Sequence, residues 1–246
     1  MIEQGRSWRL ERNGNVVFAA VSAEFACYAE SSGPVGGGHR HPAWQLMLSW
    51  DGEVTATDET GRITTGPGVL VPPGMRCAVT HPDGFTGLWI DPYGLAIAGR
   101  PGIQALDRAQ VRRLLACTGG DLDPIQLRRI VRRTLGDAPA IDPRFSRALS
   151  LLDSNTDIED LAVRVGLSAR RLRQLSVETI GGPLTTLRRW HRLREAGLQL
   201  PFHSAAEVAA QTGFADQPHL IRTMVALCGR TPGSSDARMT LSAPAR

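Results

Sequence analysis

The stretch that decides the fold is Ser204-Ala-Ala-Glu-Val-Ala-Ala-Gln-Thr-Gly-Phe-Ala-Asp-Gln-Pro-His-Leu-Ile-Arg-Thr-Met-Val-Ala-Leu-Cys228. Ser204 and Glu207 stand at the spacing of a capping box, in which each side chain takes an otherwise orphaned amide of a helix start. The helix they open, Ala205–Gln211, turns Val208 and Ala209 inward. Gly213-Phe214 ends it. Asp216 caps a second helix that runs to about Cys228, with Leu220, Met224 and Leu227 on one face. Helix, glycine turn, helix, with Ala where the two cross closely, is the helix-turn-helix plan, whose second helix enters the major groove.

The same design recurs upstream. Thr156-x-x-Glu159 has the capping-box spacing. Ile158-Glu-Asp-Leu-Ala-Val-Arg-Val165 then puts Ile158, Leu161, Ala162 and Val165 on one helical face. Gly166-Leu167 turns the chain, and Ser168 caps a helix over Ala169–Thr179 that buries Leu172 and Leu175. Between the two units, Leu184–Leu198 reads as a helix rich in Arg (Arg188, Arg189, Arg192, Arg194) that holds them in a fixed relation.

Residues 145–235 resemble the AraC/XylS-type DNA-binding domain, above all through Ala206-Glu-Val-Ala-Ala-Gln-Thr-Gly-Phe-Ala-Asp-Gln-Pro-His-Leu-Ile-Arg222 and Gly229-Arg-Thr-Pro232. The first unit departs from the family where Ser176 replaces an aromatic, and Gly233-Ser-Ser-Asp follows the Thr-Pro in place of an aromatic and an Arg. With Leu172 and Leu175 inward, Arg170, Arg173 and Gln174 point outward near the start of their helix, where base edges lie. The resemblance puts base contacts on these same residues and on Gln217, His219, Ile221 and Arg222. Arg suits guanine and Gln suits adenine. Arg171, Arg188 and Arg189 fit phosphate contacts, which position without specifying.

Charge agrees. Of 246 residues no basic one is Lys, and the formal net charge is +4. Arg and acidic residues balance over 1–140, so the excess sits in the C-terminal part. Met1–Arg12 holds no apolar core of signal-peptide length. No stretch approaches the ~18 apolar residues of a membrane span. Cys27, Cys77, Cys117 and Cys228 are scattered and form no CxxC pair. Free thiols without an export signal point to the cytoplasm.

Residues 1–100 have another texture: short apolar runs (Asn15–Ala20, Trp44–Trp50, Val54–Thr57, Gly68–Val71, Gly87–Ile90) between turn signals, the pattern of a sandwich or barrel. Ile103–Cys117 shows helical period, and Asp123-Pro124 caps a second helix to about Leu135. Two spacings in the strand-rich part, Gly33-x5-His39-x-His41-x3-Gln45-x6-Gly52 and Gly66-x5-Pro72-x-Gly74-x2-Cys77-x3-His81, resemble the two cupin motifs of small β-barrels. Metal-binding cupins offer three His and a Glu. Here Gln45 stands for the Glu and Cys77 for the last His. Neighbouring strands of a small barrel can bring His39, His41 and Cys77 together, with Gln45 as a weak fourth group and His81 as a possible extra ligand. Such a set suits zinc first, then cobalt, nickel or copper. The alternative is a metal-free pocket for an organic effector, with Cys77 a small buried residue. Trp44, Trp50 and Trp89 read as core or rim packing.

The sequence therefore predicts an α+β multidomain chain. Residues 1–100 form a cupin-like effector-sensing barrel. Residues 101–143 form a helical dimerisation segment and linker, its contact placed on Asp107–Cys117 because Leu114 and Leu115 offer an apolar stripe. Residues 144–246 form an AraC-type double helix-turn-helix domain. The resemblance implies a non-enzymatic transcription regulator acting on double-stranded DNA as a homodimer, with a small effector or metal ion in the barrel, and with RNA polymerase as a partner if it activates. The rival of a different class is a metal-dependent cupin oxygenase or isomerase fused to a DNA-binding module. It lacks a strong fourth ligand and an acid/base pair.

Overall fold

The computed structural model describes residues 6–12, 15–22, 24–31, 38–80, 84–92, 102–118, 123–137, 141–152, 156–229 and 231. Gly33, His81, Arg230 and Pro232 lie outside them. Among the described residues eleven strands come first: β1 (Arg6–Arg12), β2 (Asn15–Val21), β3 (Phe25–Glu30), β4 (His39–Arg40), β5 (Trp44–Ser49), β6 (Val54–Asp58), β7 (Ile63–Gly66), β8 (Gly68–Val71), β9 (Arg76–Thr80), β10 (Phe85–Ile90) and β11 (Gln104–Leu106). They make a seven-stranded sheet in the order β1-β2-β3-β10-β5-β8-β11 and a four-stranded sheet in the order β4-β9-β6-β7.

The two sheets enclose an interior that reads directly from alternation. On β5, Gln45 and Met47 face inward while Leu46 and Leu48 face out. Met47, Val69, Val71 and Phe85 of the large sheet meet Val54, Ala56, Cys77 and Val79 of the small one. The outer face of the large sheet is covered by α1 (Arg108–Leu115) and α2 (Pro124–Leu135), which place Val111, Leu114, Leu127 and Val131 on Leu46, Leu48, Leu70, Leu88 and Ile90. Each such side chain taken out of water contributes about 1.5–3 kcal/mol.

Six helices follow: α3 (Pro143–Ser150), α4 (Ile158–Arg164), α5 (Ala169–Ile180), α6 (Leu184–Gln199), α7 (Ala205–Gln211) and α8 (Gln217–Cys228). Phe145, Leu161, Leu172, Leu187, Trp190, Val208 and Leu220 form their core. That core continues into Val21 and Ala26 of the barrel, so the two parts share one apolar cluster.

Three expectations need correction. Ile103–Cys117 is not one helix: Gln104–Leu106 pairs with β8, and Asp107 starts α1 by taking the Gln110 amide while Gln110 takes its own. The cap of α4 is Asp157, which accepts the Glu159 and Asp160 amides. The Thr156 hydroxyl bonds the Leu151 carbonyl instead. Leu114 is spent on the sheet at 0 % exposure, so it gives no dimer contact. The exposed positions of α1 and its C-cap are Arg108, Arg112, Arg113 and Ala116.

Candidate nucleic-acid interface and the seam behind it

The second helix-turn-helix unit is α7–α8. Ser204 and Glu207 close the capping box, Gly213 takes a positive φ of 76° at the turn, and Asp216 accepts the His219 amide at 2.6 Å to start α8. Gln217 and Arg222 stand exposed on α8, while His219 and Ile221 are half-buried. The His219 ring is partly committed to the turn: Nδ1 accepts the Ala215 amide at 3.3 Å and the ring meets Phe214 edge-on at 5.3 Å.

The first unit is α4–α5. Ser168 accepts the Arg171 amide, and Arg170, Arg173 and Gln174 are exposed. Gln174 Nε2 donates to Glu178 Oε1 at 2.8 Å, Arg171 stands 3.7 Å from Glu178, and Arg173 pairs with Glu159. These are exposed pairs, worth about 0–1 kcal/mol, so a phosphate or a base edge can displace them. Ser176 is fully buried and donates to the Gly182 carbonyl at 2.6 Å, fixing the α5–α6 turn where the family carries an aromatic. Arg189 is exposed on α6. Arg188 is half-buried and donates to the Thr156 carbonyl, tying α6 to the chain ahead of α4. It therefore braces the first unit as well as facing it.

α6 also turns toward the barrel, and there the sequence reading missed a constellation. Arg194 is 7 % exposed. Its Nη1 donates to Asp91 Oδ2 at 2.5 Å, and Nη2 donates to the carbonyls of Ser22 and, at 3.2 Å, Phe25. Trp190 Nε1 donates to Asp91 Oδ1 at 3.0 Å, and His191 Nε2 stands 3.7 Å from Asp91 Oδ2. The only signal was register: Leu187, Trp190 and Arg194 share one face of α6, so the Arg had to be an inward one. Nearby, the turn after α5 touches the barrel backbone-to-backbone. A Cβ at Gly181 would come within 2.5 Å of the Gly74 Cα, and both glycines hold positive φ.

The cupin-motif residues meet at this end of the barrel, in part. His39 and Cys77 are direct partners across β4 and β9. Gln45 lies between Val71 and Trp89 in register. All are buried. His41, however, joins an aromatic stack: its ring meets Trp190 edge-on at 4.0 Å and Trp89 at 5.7 Å. Burial first, then the neighbouring His39, pushes its pKa well below the ordinary value, so it is neutral. Burial lifts the Cys77 thiol to about 11. Gln45 Nε2 is turned to the Met47 sulfur at 3.5 Å. Among the described residues no three His, Cys, Asp or Glu come together in a way that could hold a metal ion. The His41 ring is packed between tryptophans and the Gln45 amide is turned to a thioether, so of the four motif residues His39 and Cys77 are the pair that stand directly together.

Comparison with known proteins bears on both parts. Residues 161–238 match the family described as a helix-turn-helix domain. The sequence has no match among curated proteins. Among solved structures, ToxT from Vibrio cholerae O395 bound to (E)-4-(8-methylnaphthalen-1-yl)but-3-enoic acid is 9 % identical with a TM-score of 0.57, covering 96 % of this chain and 99 % of its own. Unsaturated fatty acid-bound ToxT from Vibrio cholerae strain SCE256 is 10 % identical with a TM-score of 0.52, covering 86 % and 94 %. A further structure of ToxT from Vibrio cholerae O395 is 10 % identical with a TM-score of 0.53, covering 96 % and 97 %. At these identities the likeness is one of fold. Among the described residues no helix is long and apolar enough to cross a membrane. With the family match over α4–α8 and α5 and α8 both exposed, residues 161–238 are a helix-turn-helix DNA-binding domain of that family, carried behind a two-sheet β domain.

Proposed function

We propose that this chain controls transcription by laying α5 and α8 in successive major grooves, and that a small organic effector at the α6 end of the barrel sets how it does so. The observation that supports this most is that one helix serves both ends. α6 braces the first recognition unit through Arg188 and packs on the second, and its inward face, Trp190 and Arg194, plugs the barrel. A change at the barrel mouth is thereby a change in the element that spaces the two recognition helices. Two of the ToxT structures of the same fold hold an organic acid, which favours an organic effector over a metal ion. A pair of chains on adjacent sites raises affinity through effective concentration.

Selection from a random duplex pool by the full chain tests the reading. Enriched DNA carries two conserved segments about 10 bp apart, one helical turn, centre to centre. Arg173→Ala relaxes one segment and Arg222→Ala the other, each losing about 1–3 kcal/mol on the selected duplex. No enrichment sinks the proposal. Metal analysis of the freshly purified protein, beside Cys77→Ala, gives no bound transition metal in either. One equivalent per chain in the wild type alone would restore the metal-sensing version.

A further inference from the structure

Two buried N–H groups at the barrel mouth have no acceptor among the described residues. One is Trp89 Nε1 and the other is His41 Nε2. The state of the histidine follows from the opposite side of its ring. Nδ1 accepts the Ala43 amide at 3.3 Å, so it presents a lone pair and the ring proton is on Nε2. Both orphans are therefore uncharged donors. Their ring centroids are 5.7 Å apart and tilted by 34°, so the two donors belong to neighbouring rings, within reach of one small ligand. The third ring of the stack is different: the Trp190 indole is already bonded to Asp91. A buried donor left unbonded is costly, and native structures rarely keep two together without a use.

Resting on the reading of the barrel as an effector site, we infer that the His41–Trp89 donor pair binds a small planar ligand through one neutral acceptor oxygen, a carbonyl of the amide, ketone or lactone kind. Three aromatic rings, His41, Trp89 and Trp190, favour a flat body. Neutrality follows from the charges. The guanidinium that acts on His41 is Arg194, and Asp91 and two backbone carbonyls already occupy it. A carboxylate here would be a buried anion beside the Asp91 carboxylate, with the Arg194 guanidinium already committed. Binding satisfies both donors and sits directly beneath α6.

The test is a titration of the intact, ¹⁵N-labelled chain with benzamide, and with benzoate as its charged counterpart. Benzamide moves the Trp89 indole and His41 Nε2–H resonances in a saturable way at millimolar concentration. Benzoate binds at least about ten-fold more weakly. Trp89→Phe and His41→Phe keep a ring and remove one donor, and each weakens benzamide about ten-fold, read at the remaining donor and at the Trp190 indole. If a variant fails to fold, the benzamide–benzoate contrast on the wild type decides alone. Unmoved donor resonances, or benzoate binding as tightly as benzamide, overturns the site. DNA binding is measured on the same samples with the selected duplex. Its absence beside intact benzamide shifts sinks the regulator reading and leaves the site standing.

Discussion

Arg194 occupies an inward position of α6, one turn beyond Trp190, in a register otherwise held by apolar side chains, and its partner Asp91 has a side chain only 1 % exposed. Two charges taken this far out of water gain little as a pair, yet removing one leaves the other uncompensated. Arg194→Ala therefore costs about 3–5 kcal/mol in urea denaturation, whereas Asp91→Leu combined with Arg194→Met recovers most of that loss. A single variant as stable as wild type would show that the pair does not hold the seam. The buried thiols make a second expectation. Burial lifts Cys27 to about 12 and Cys77 to about 11, from an ordinary 9.0. Between 9.0 and those values the unfolded chain loses protons that the folded chain keeps. Their contribution to stability is thus level below about pH 9 and falls as pH rises above it. Melting temperature against pH gives that alkaline loss, and Cys27→Ala reduces it. Of the site itself, the sequence revealed half. The cupin spacing grouped His39, His41 and Cys77 with Gln45; His39 and Cys77 do pair across β4 and β9, while Gln45 lies in the other sheet between Val71 and Trp89. The spacing did not reveal where His41 goes, because Trp190 comes from the other domain and no spacing encodes that meeting.

Helix boundaries were the most legible elements because each is written in side chains that satisfy amides. Asp123-Pro124, Ser168, Ser204 and Asp216 all start helices where the sequence put them. The exception is instructive. Thr156 and Glu159 have capping-box spacing, but Asp157 competes with an ionised acceptor, and both amides go to it. Asp157→Ala accordingly lowers stability by about 1 kcal/mol by thermal denaturation, and Thr156→Ala lowers it by less. The reverse ranking would reinstate the box. Strands were legible where they are apolar and went unread where they are charged. Those of the large sheet are covered on both faces, by the interior on one side and α1–α2 on the other, so β5 and β8 read as continuous apolar runs without alternation. β1, Arg-Ser-Trp-Arg-Leu-Glu-Arg, went unread because it is a charged edge strand, the form that discourages edge-to-edge pairing. β11 was hidden inside a helical period because Leu106 serves the sheet one residue before Asp107 begins the helix.

For the whole molecule, the question is whether barrel and DNA-binding domain behave as one body or two. The seam combines the Asp91–Arg194–Trp190 bonds, the Gly74–Gly181 approach, an exposed Arg6–Glu195 pair, and an apolar core that runs through Val21 and Ala26 into α6. Of these, Trp190 touches both the barrel's donor pair and the core of the helical domain. It is the place where ligand binding and groove spacing can exchange free energy, and such an exchange is reciprocal: benzamide shifts DNA affinity by the factor by which DNA shifts benzamide affinity. Trp190→Phe retains a ring in the core but loses the Asp91 bond and much of the contact with His41. The variant keeps affinity for the selected duplex and binds benzamide more weakly, while the factor relating the two affinities falls toward one. Paired titrations, each ligand with and without the other, give that factor twice over. If it survives in the variant, coupling runs through the Gly74–Gly181 contact instead, and Gly181→Ala, which drives a Cβ into the Gly74 backbone, becomes the substitution that abolishes it.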